Sequence, residues 1–303
     1  MSGRFAPTPS SDLHVGNLRT ALVSWLAARA TGRNWLVRVE DLDTPRLPDA
    51  DAIAERQLAD LAALGLRHDG PVIHQKDRTK LYEQALSELT GLVYECFCSR
   101  KDVWEATRAP HGTTPRYPGT CRDLSESEKA ARRARRTPAW RVDTAGVSST
   151  ITDLVHGRYT APVDDFVVRR ADGVFSYNFA VVVDDGLQGI DQVVRGDDLL
   201  ASAPRQAWLA ARLGFPVPAY LHVPLVEAPD GTRLAKRDAA VSLATLTQAG
   251  VTIPDILTRL ARSLNLARDN ESVTLGQLVD RFDPAKLPRA PWRIDPAGWV
   301  PKD

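Results

Sequence analysis

The chain has 303 residues, of which 43% are hydrophobic and 25% charged, and its formal net charge is +1. This near-neutral balance excludes a protein that binds nucleic acid through overall charge alone, and no apolar run reaches the roughly 18 residues that a transmembrane helix needs. The first residues lack the apolar core of a signal peptide, and three cysteines fit a reducing compartment. We therefore expect a cytoplasmic protein without membrane contact, with one large α/β domain and a smaller insert.

The first third of the chain alternates between strand and helix signals. Arg4–Ala6 is a short apolar segment, a helical pattern of apolar residues begins at Gly16, and Trp35–Val39 is predicted to be a buried strand. This order is typical of the opening of a doubly wound nucleotide-binding sheet. The pattern continues with a helix over Ala50–Leu64, a strand over Val72–Gln75 and a helix over about Thr79–Leu92.

The middle of the chain loses this periodicity. Cysteines, prolines and glycines dominate Tyr94–Arg122, which indicates an inserted subdomain, and short strands resume over Arg141–Leu154. The turn at Ala171–Gly173 predicts a hairpin with strands over Phe166–Arg170 and Val174–Val183. The remaining predicted elements are a strand end at Val193–Arg195, a helix over Leu199–Leu213, a strand over Leu221–Glu227, helices over Ser242–Gly250 and Pro254–Leu266, and a proline-rich tail.

These elements predict four consecutive regions. Residues 1–93 and 141–238 form the two halves of a Rossmann-type domain, residues 94–140 form the insert, and residues 239–303 form a short helical C-terminal region. Arginines are concentrated between Lys129 and Arg141. Such a stretch could contact phosphates or form a solvated helix with an arginine-rich face, and composition leaves both readings open.

The loop after the first predicted strand carries His14, Gly16 and Asn17 just ahead of the first helix. A strand-to-helix loop at the carboxyl end of a parallel sheet is a nucleotide-binding position, because the helix N-terminus favours phosphate. Gly16 would let the backbone approach a phosphate, and His14 could stabilise charge there during in-line attack. Alone, the pair also fits a loop histidine without a catalytic role.

A second loop, Gly231–Arg237, places cations close together after a glycine turn. Flexible basic side chains such as Lys236 can follow a pyrophosphate as it leaves. Considered alone, this segment also fits a solvated basic turn.

Three cysteines, Cys96, Cys98 and Cys121, lie in the aperiodic insert. Thiolates hold Zn²⁺ tetrahedrally, and a structural zinc can replace a missing core in a loop-rich segment. Ligand statistics offer His111 as the fourth ligand. Three reduced cysteines without a metal are the alternative.

In their order and separation, these motifs closely resemble those of the class I glutamyl-tRNA synthetases over roughly residues 3–240. Residues 4–46 resemble the start of that family, and His14–Asn17 resembles its HIGH signature. Arg233–Arg237 resembles its KMSKS signature, and Phe175–Leu200 is similar to the segment ahead of that signature.

The chain departs from both signatures. Asn17 replaces the last histidine of the first, and Arg233, Ala235 and Arg237 differ from the second. The serine hydroxyl absent at Ala235 would remove one phosphate contact. Lys236 is retained, so we expect activity to remain.

The resemblance implies a Rossmann-type doubly wound parallel sheet with an inserted zinc-binding subdomain and a short helical C-terminal region. It implies ATP, with Mg²⁺, as a substrate, and one structural Zn²⁺ held by Cys96, Cys98, Tyr117 and Cys121, with Tyr117 rather than His111 as the fourth ligand. The residues implied to bind ATP are Pro7, His14, Gly16, Asn17, Leu234 and Lys236, of which His14, Gly16, Asn17 and Lys236 are implied to be catalytic; those implied to bind L-glutamate are Arg4, Phe5, Ala6, Pro7, Thr8, Glu40, Tyr177 and Arg195.

The chemistry of these side chains agrees with a glutamate pocket. Arg195 is suited to a bidentate contact with the side-chain carboxylate of the substrate, which would favour glutamate over glutamine. Glu40 can hold the α-ammonium group, and Tyr177 can add a hydroxyl contact. An internal salt bridge between Arg195 and Glu40 is the alternative.

The region after Arg237 is too short for the anticodon-binding domain of a full-length synthetase. The chain therefore resembles the truncated paralogues within the family, the glutamyl-Q tRNA(Asp) synthetases. That resemblance implies ATP-dependent activation of L-glutamate by a monomer and transfer to queuosine at the wobble position of tRNA(Asp), presented by the anticodon stem-loop. The alternatives are a minimal glutamyl-tRNA synthetase that charges the tRNA 3′ end, and a non-catalytic protein that binds glutamate or tRNA.

Overall fold

A computed structural model describes residues 1–43, 46–47, 49–107, 116–232 and 241–299. Its main sheet has seven strands in the order β3-β2-β1-β9-β10-β6-β7. The strands are β1 (Ser2–Phe5), β2 (Asn34–Val39), β3 (Ile73–His74), β6 (Ser148–Asp153), β7 (Gly157–Pro162), β9 (Ile190–Gly196) and β10 (Ala219–Val223).

The strand order reverses at the centre of this sheet. From β1 the chain moves outward to β2 and β3, and from β9 it moves in the opposite direction to β10, with all these neighbours parallel. Among the described strands of this sheet, β7 alone runs antiparallel, against β6. In such sheets ligands bind outside the carboxyl ends of the strands at the reversal, here between β1 and β9. The predicted doubly wound α/β fold is confirmed.

Helix α1 (Val15–Arg29) crosses from β1 to β2 and is buried along most of its length. Leu18, Leu22 and Leu26 follow the helical repeat and are fully buried. The helix as a whole contacts both the main sheet and two helices of the C-terminal region. The other α-helices in the described ranges are α2 (Ala50–Ala63), α3 (Thr79–Glu88), α4 (Arg100–Thr107), α5 (Glu126–Arg133), α6 (Tyr177–Leu187), α7 (Ala203–Arg212), α8 (Leu243–Gln248), α9 (Ile253–Ser263) and α10 (Leu275–Arg281).

A separate antiparallel sheet joins the insert to the second half of the main domain. It has the order β4 (Val93–Cys96), β5 (Ala139–Val142) and β8 (Val167–Arg169). The predicted aperiodic stretch therefore contains β4 and α4, two elements too short to produce a periodic pattern. Helix α5 buries none of its residues, in agreement with a solvated arginine-rich helix. The four region boundaries stay a prediction.

The predicted hairpin at residues 166–183 is wrong in its second arm. A tight turn does follow β8, with Arg169 bridged to Phe175, but α6 begins at Tyr177. The Ser176 hydroxyl accepts a hydrogen bond from the Phe179 N–H and caps the helix. The apolar run that suggested a strand is a buried helix, which periodicity cannot distinguish in a short segment.

Two other boundaries differ from the prediction. The helix expected over Leu199–Leu213 is a 3₁₀ helix over Asp197–Ser202 followed by α7, with Pro204 in its first turn. The C-terminal region contains α10 in addition to the two predicted helices, followed by β12 (Trp292–Arg293), which pairs with β11 (Val226–Glu227). Among the described residues, no helix combines the length and apolar character needed to cross a membrane.

Candidate functional site

A cavity of about 630 Å³ opens at the carboxyl ends of β1 and β9. Its volume lies within the range of sites for small ligands. The predicted ATP and glutamate residues that the structure describes all line it: Arg4, Phe5, Ala6, Pro7, Thr8, His14, Gly16, Asn17, Glu40, Tyr177 and Arg195. Leu234 and Lys236 lie outside the described residues, as does His111.

His14 forms the N-cap of α1, and His14, Gly16 and Asn17 all line the cavity. Its Nδ1 accepts the Gly16 N–H at 3.0 Å, and its own N–H donates to Oδ1 of Asn17 at 3.3 Å. This reciprocal pair explains why asparagine suits position 17. A Cβ atom at Gly16 would lie 2.8 Å from Cε1 of His14, so any side chain there would displace the ring from this position.

Arg195 lies at the end of β9, 5% exposed, on one wall of the cavity. Its Nη1 donates to Oε1 of Gln206 at 2.7 Å and contacts the Tyr177 hydroxyl at 3.4 Å, and its Nη2 donates to the Leu199 carbonyl at 3.3 Å. Its Nε donates to Nε2 of His222 at 3.0 Å. The guanidinium group is therefore held from several sides while still lining the cavity.

Two other lining residues, Arg4 and Glu40, belong to a network of buried charges. Arg4 donates through Nε and Nη2 to the two carboxylate oxygens of Asp185, each at 3.2 Å, and Nη1 of Arg38 reaches the same carboxylate at 2.8 Å. Nη2 of Arg38 lies 3.4 Å from Oε1 of Glu40. Within the described part of the chain, no ion pair joins Arg195 to Glu40. The partner of Glu40 is instead Arg38.

Burial and charge compete in setting the protonation of these carboxyl groups. Burial raises the pKa of Glu40 above its ordinary value, although Arg38 and Arg4 act against it. For Asp185, burial also acts to raise the pKa, but Arg4 and Arg38 outweigh it and hold that pKa low. Asp185 is thus the ionised partner that keeps Arg4 in place, and Glu40 is the more easily protonated group.

The three cysteines converge in the insert. Sγ of Cys98 lies 3.6 Å from Sγ of Cys121 and 3.7 Å from the Tyr117 hydroxyl, and Sγ of Cys96 lies 3.4 Å from that hydroxyl. A tetrahedral zinc with Zn–S bonds of about 2.3 Å separates its ligands by about 3.8 Å along each edge. The three cysteines could hold a metal ion, and the Tyr117 hydroxyl lies beside them.

The structure brings functional candidates to the site that the sequence analysis did not identify. Asp185 was visible only as part of a matched block, and His222 lies inside an apolar strand where a polar residue is itself a signal. Pro224–Val226 form a wall of the cavity, which no local pattern indicated. Further lining residues are Ser10, Ser11, Leu13, Thr20, Gln57, Val194, Gly196, Asp198 and Leu199.

Comparison with known proteins gives consistent results. The family model for the catalytic domain of tRNA synthetases class I (E and Q) matches residues 1–296. Relatives named glutamyl-Q tRNA(Asp) synthetase include one from Nocardia farcinica, 55% identical over 98% of this chain and 94% of its own length, and one from Symbiobacterium thermophilum, 45% identical over 97% and 96%. A glutamate tRNA ligase structure from Elizabethkingia meningosepticum superposes with a TM-score of 0.83 at 24% identity, covering 99% of this chain and 68% of that one, which supports the fold.

Proposed function

The chain belongs to the class I tRNA synthetases for glutamate and glutamine, and we propose that it activates L-glutamate with ATP and transfers the glutamyl group to queuosine at the wobble position of tRNA(Asp). The observation that carries this proposal is the 55% identity, over nearly the whole of both chains, to a protein named glutamyl-Q tRNA(Asp) synthetase. The cavity supports it, because cationic and anionic groups are positioned on its walls for an amino acid with a carboxylate side chain.

Glutamate would lie between Arg195 and the network of buried charges to which Arg4 and Glu40 belong. The guanidinium of Arg195 is suited to the side-chain carboxylate, since charge-assisted hydrogen bonds to a fixed guanidinium favour a carboxylate over an amide. Glu40 and Tyr177 would contact the α-ammonium group, with Arg4 held beside them by Asp185. The proposal thus assigns selectivity for glutamate to Arg195.

In the first step an α-carboxylate oxygen of glutamate attacks the α-phosphorus of ATP. A phosphorus–oxygen bond forms, the bond to the β-phosphate breaks, and pyrophosphate leaves with its electron pair. Mg²⁺ bound with ATP would neutralise phosphate charge. The protein contributes mainly position and charge stabilisation, through His14 and the N-terminus of α1, with Lys236 following the leaving pyrophosphate.

In the second step a hydroxyl of the queuosine cyclopentene ring attacks the activated carbonyl carbon. An ester bond forms, AMP leaves, and the hydroxyl proton passes to solvent or to the departing phosphate. No protein nucleophile is needed, because the adenylate is already activated. The proposed catalyst is a monomer that accepts the anticodon stem-loop of tRNA(Asp).

The insert would hold one structural Zn²⁺ through Cys96, Cys98, Tyr117 and Cys121. Thiolates are suitable zinc ligands, and Nε of Arg141 lies 3.2 Å from Sγ of Cys96, where its charge offsets the negative charge of the ligand set. Burial raises the pKa of Cys98 to about 12, with a further contribution from Cys96, although the hydrogen bond with Tyr117 acts against it. A cation that deprotonates the thiols would remove this cost.

Labelled glutamate tests the function directly. The purified protein is incubated with ATP, Mg²⁺ and labelled glutamate, using tRNA from queuosine-containing and queuosine-lacking cells, with the 3′ end left free or chemically blocked. We expect labelling that requires queuosine and persists when the 3′ end is blocked. Labelling of both pools that disappears on blocking would instead identify a synthetase that charges the 3′ end, a reading that the relatives' names do not favour.

A further inference from the structure

Behind Arg195 lies a pair of buried groups that do not line the cavity. His222 is on β10 and Asp153 is at the end of β6, and their exposed fractions are 0% and 2%. The parallel register of β9 and β10 sets His222 directly beside Arg195. Nδ1 of His222 lies 2.7 Å from Oδ2 of Asp153, and Nε2 lies 3.0 Å from Nε of Arg195.

The two contacts together determine where the imidazole proton is. A guanidinium nitrogen only donates, so Nε2 of His222 must be the unprotonated acceptor of the Arg195 Nε–H. The proton then lies on Nδ1, which donates to Asp153. A doubly protonated His222 ring is excluded in this geometry, because its Nε2–H would face the Arg195 Nε–H and both groups are donors.

Asp153 is itself held so that it can only accept. Its Oδ1 accepts hydrogen bonds from the backbone N–H groups of Val155 and His156 at 2.9 and 2.8 Å. Its Oδ2 accepts from the backbone N–H of His222 at 3.0 Å, in addition to the ring contact. These donors leave the carboxylate no freedom to rotate. Burial alone would raise the pKa of Asp153, but the hydrogen bond from His222 and these N–H groups hold that pKa below its ordinary value.

We propose that His222, oriented by Asp153, is a positioning residue that fixes the guanidinium of Arg195 for the substrate carboxylate. This inference rests on the proposed function, in which glutamate is the amino-acid substrate. Gln206 accepts from Nη1 of the same group at 2.7 Å, and the Tyr220 ring lies 5.5 Å from the guanidinium carbon. His222 differs from these partners because it accepts the Nε–H.

Two near-isosteric substitutions separate positioning from simple packing. His222→Gln places an amide oxygen near the position of Nε2 and keeps an acceptor for Arg195. His222→Asn places its amide near Nδ1, so it keeps the contact with Asp153 and loses the acceptor. A merely structural histidine would tolerate the smaller asparagine at least as well as the glutamine.

We expect His222→Asn to raise KM for glutamate about tenfold or more in ATP–pyrophosphate exchange, since a hydrogen bond to a charged group has an effect of that order. His222→Gln should stay near the wild type, and KM for ATP should change little in either variant. Thermal unfolding checks that both variants fold. Equal changes in the two KM values, or a larger defect in His222→Gln, would overturn the proposal.

A measurement on the unmodified protein covers the case in which a variant fails to fold. Nitrogen-15 spectra of histidine-labelled protein should show one ring protonated at Nδ1, neutral between pH 6 and 8, whose signals respond to glutamate and not to ATP alone. A ring protonated at Nε2, or insensitive to glutamate, contradicts the proposal. Absence of glutamate-dependent exchange in the wild type would count against the proposed function itself, and exchange without transfer to tRNA would count only against its second step.

Discussion

At the residue scale, the missing side chain of Gly16 is what admits the His14 ring to the cavity. The nearest neighbours of a Cβ at this position would be Cε1 and Nδ1 of His14, at 2.8 and 3.0 Å. Contacts this short force the ring to move, and the hydrogen bond between Nδ1 and the Gly16 N–H moves with it. The glycine of this motif is therefore explained by the histidine two residues before it.

Gly16→Ala should slow ATP–pyrophosphate exchange by about 10- to 100-fold, because a displacement of about 1 Å in a positioned group has effects of this size. The matched control is Gly276→Ala. Gly276 is also the second residue of its helix, and a Cβ there meets nothing within 4 Å. An exchange rate for Gly16→Ala equal to that of the control would show that His14 placement does not matter for the first step.

At the element scale, α6 replaces a predicted strand and positions both Tyr177 and Asp185. Its close approach to the residues after α7 depends on Gly186, whose added Cβ would lie 2.3–2.5 Å from the Phe215 ring. The Phe215 ring is partly buried and packs against the cluster of buried residues that includes α6, so moving the ring would disturb that packing. Gly186 is thus the position at which α6 has no room for a side chain.

We expect Gly186→Ala to lower the free energy of unfolding by about 1–3 kcal/mol, the usual cost of overpacking. Urea denaturation measures this, with Gly276→Ala as a helix glycine in open space for comparison. Adding Phe215→Leu to Gly186→Ala should restore part of the loss. If Gly186→Ala alone were as stable as Gly276→Ala, α6 and Phe215 would not be in this contact.

The insert is the second element whose chemistry can be tested. Purified protein should contain about one zinc per chain, and Tyr117→Phe should weaken zinc retention against a chelator by more than about tenfold, since even partners of metal ligands have effects of 10- to 100-fold. Tyr159→Phe, on β7, is the control for loss of a hydroxyl. Unchanged retention in Tyr117→Phe would return the fourth position to His111 or to another donor.

At the scale of the whole molecule, the buried charge network connects parts of the chain that are far apart in sequence. Arg4 on β1 and Arg38 on β2 share the carboxylate of Asp185 on α6. Side-chain exposures are 3% for Arg4, 0% for Arg38 and 11% for Asp185. Removing one member of such a network leaves buried charges uncompensated.

Asp185→Asn should lower the free energy of unfolding at pH 7 by about 3–5 kcal/mol, as breaking buried ion pairs does. The folded pKa of Asp185 is depressed, so its contribution is present above the unfolded value of about 3.9 and is lost as pH falls through the folded value. The difference between variant and wild type should therefore shrink below about pH 4. Denaturation at pH 7 and pH 3 measures both.

The control for this prediction is Asp191→Asn. Asp191 also pairs with an arginine, Arg33, but the two side chains are 33% and 20% exposed, and solvated pairs contribute little. A pH-independent difference in Asp185→Asn, or one no larger than in Asp191→Asn, would refute the idea that the buried network ties the two halves of the domain together.

Local sequence predicted the elements in which the pattern of apolar residues is long or ends at clear turn residues. Helix α1 has a helical repeat of apolar residues, and its start was predicted within one residue. Strand β2 is a continuous buried run, and both of its ends were predicted within one residue. Helix α6 was missed because a short run of valines is equally compatible with a buried strand. Helix α10 and β4 are too short for a periodic signal.

The fold class, the family and the side chains suited to ATP, glutamate and a metal could all be predicted from the sequence, because motif residues and their order are local properties of the chain. The tertiary structure was needed to show that His222 holds Arg195 and that Arg4 and Arg38 share the carboxylate of Asp185. Those contacts depend on the register of β9 against β10 and on the position of α6 beside the side chains of β1 and β2. Register and burial arise from long-range packing, which no single stretch of sequence contains.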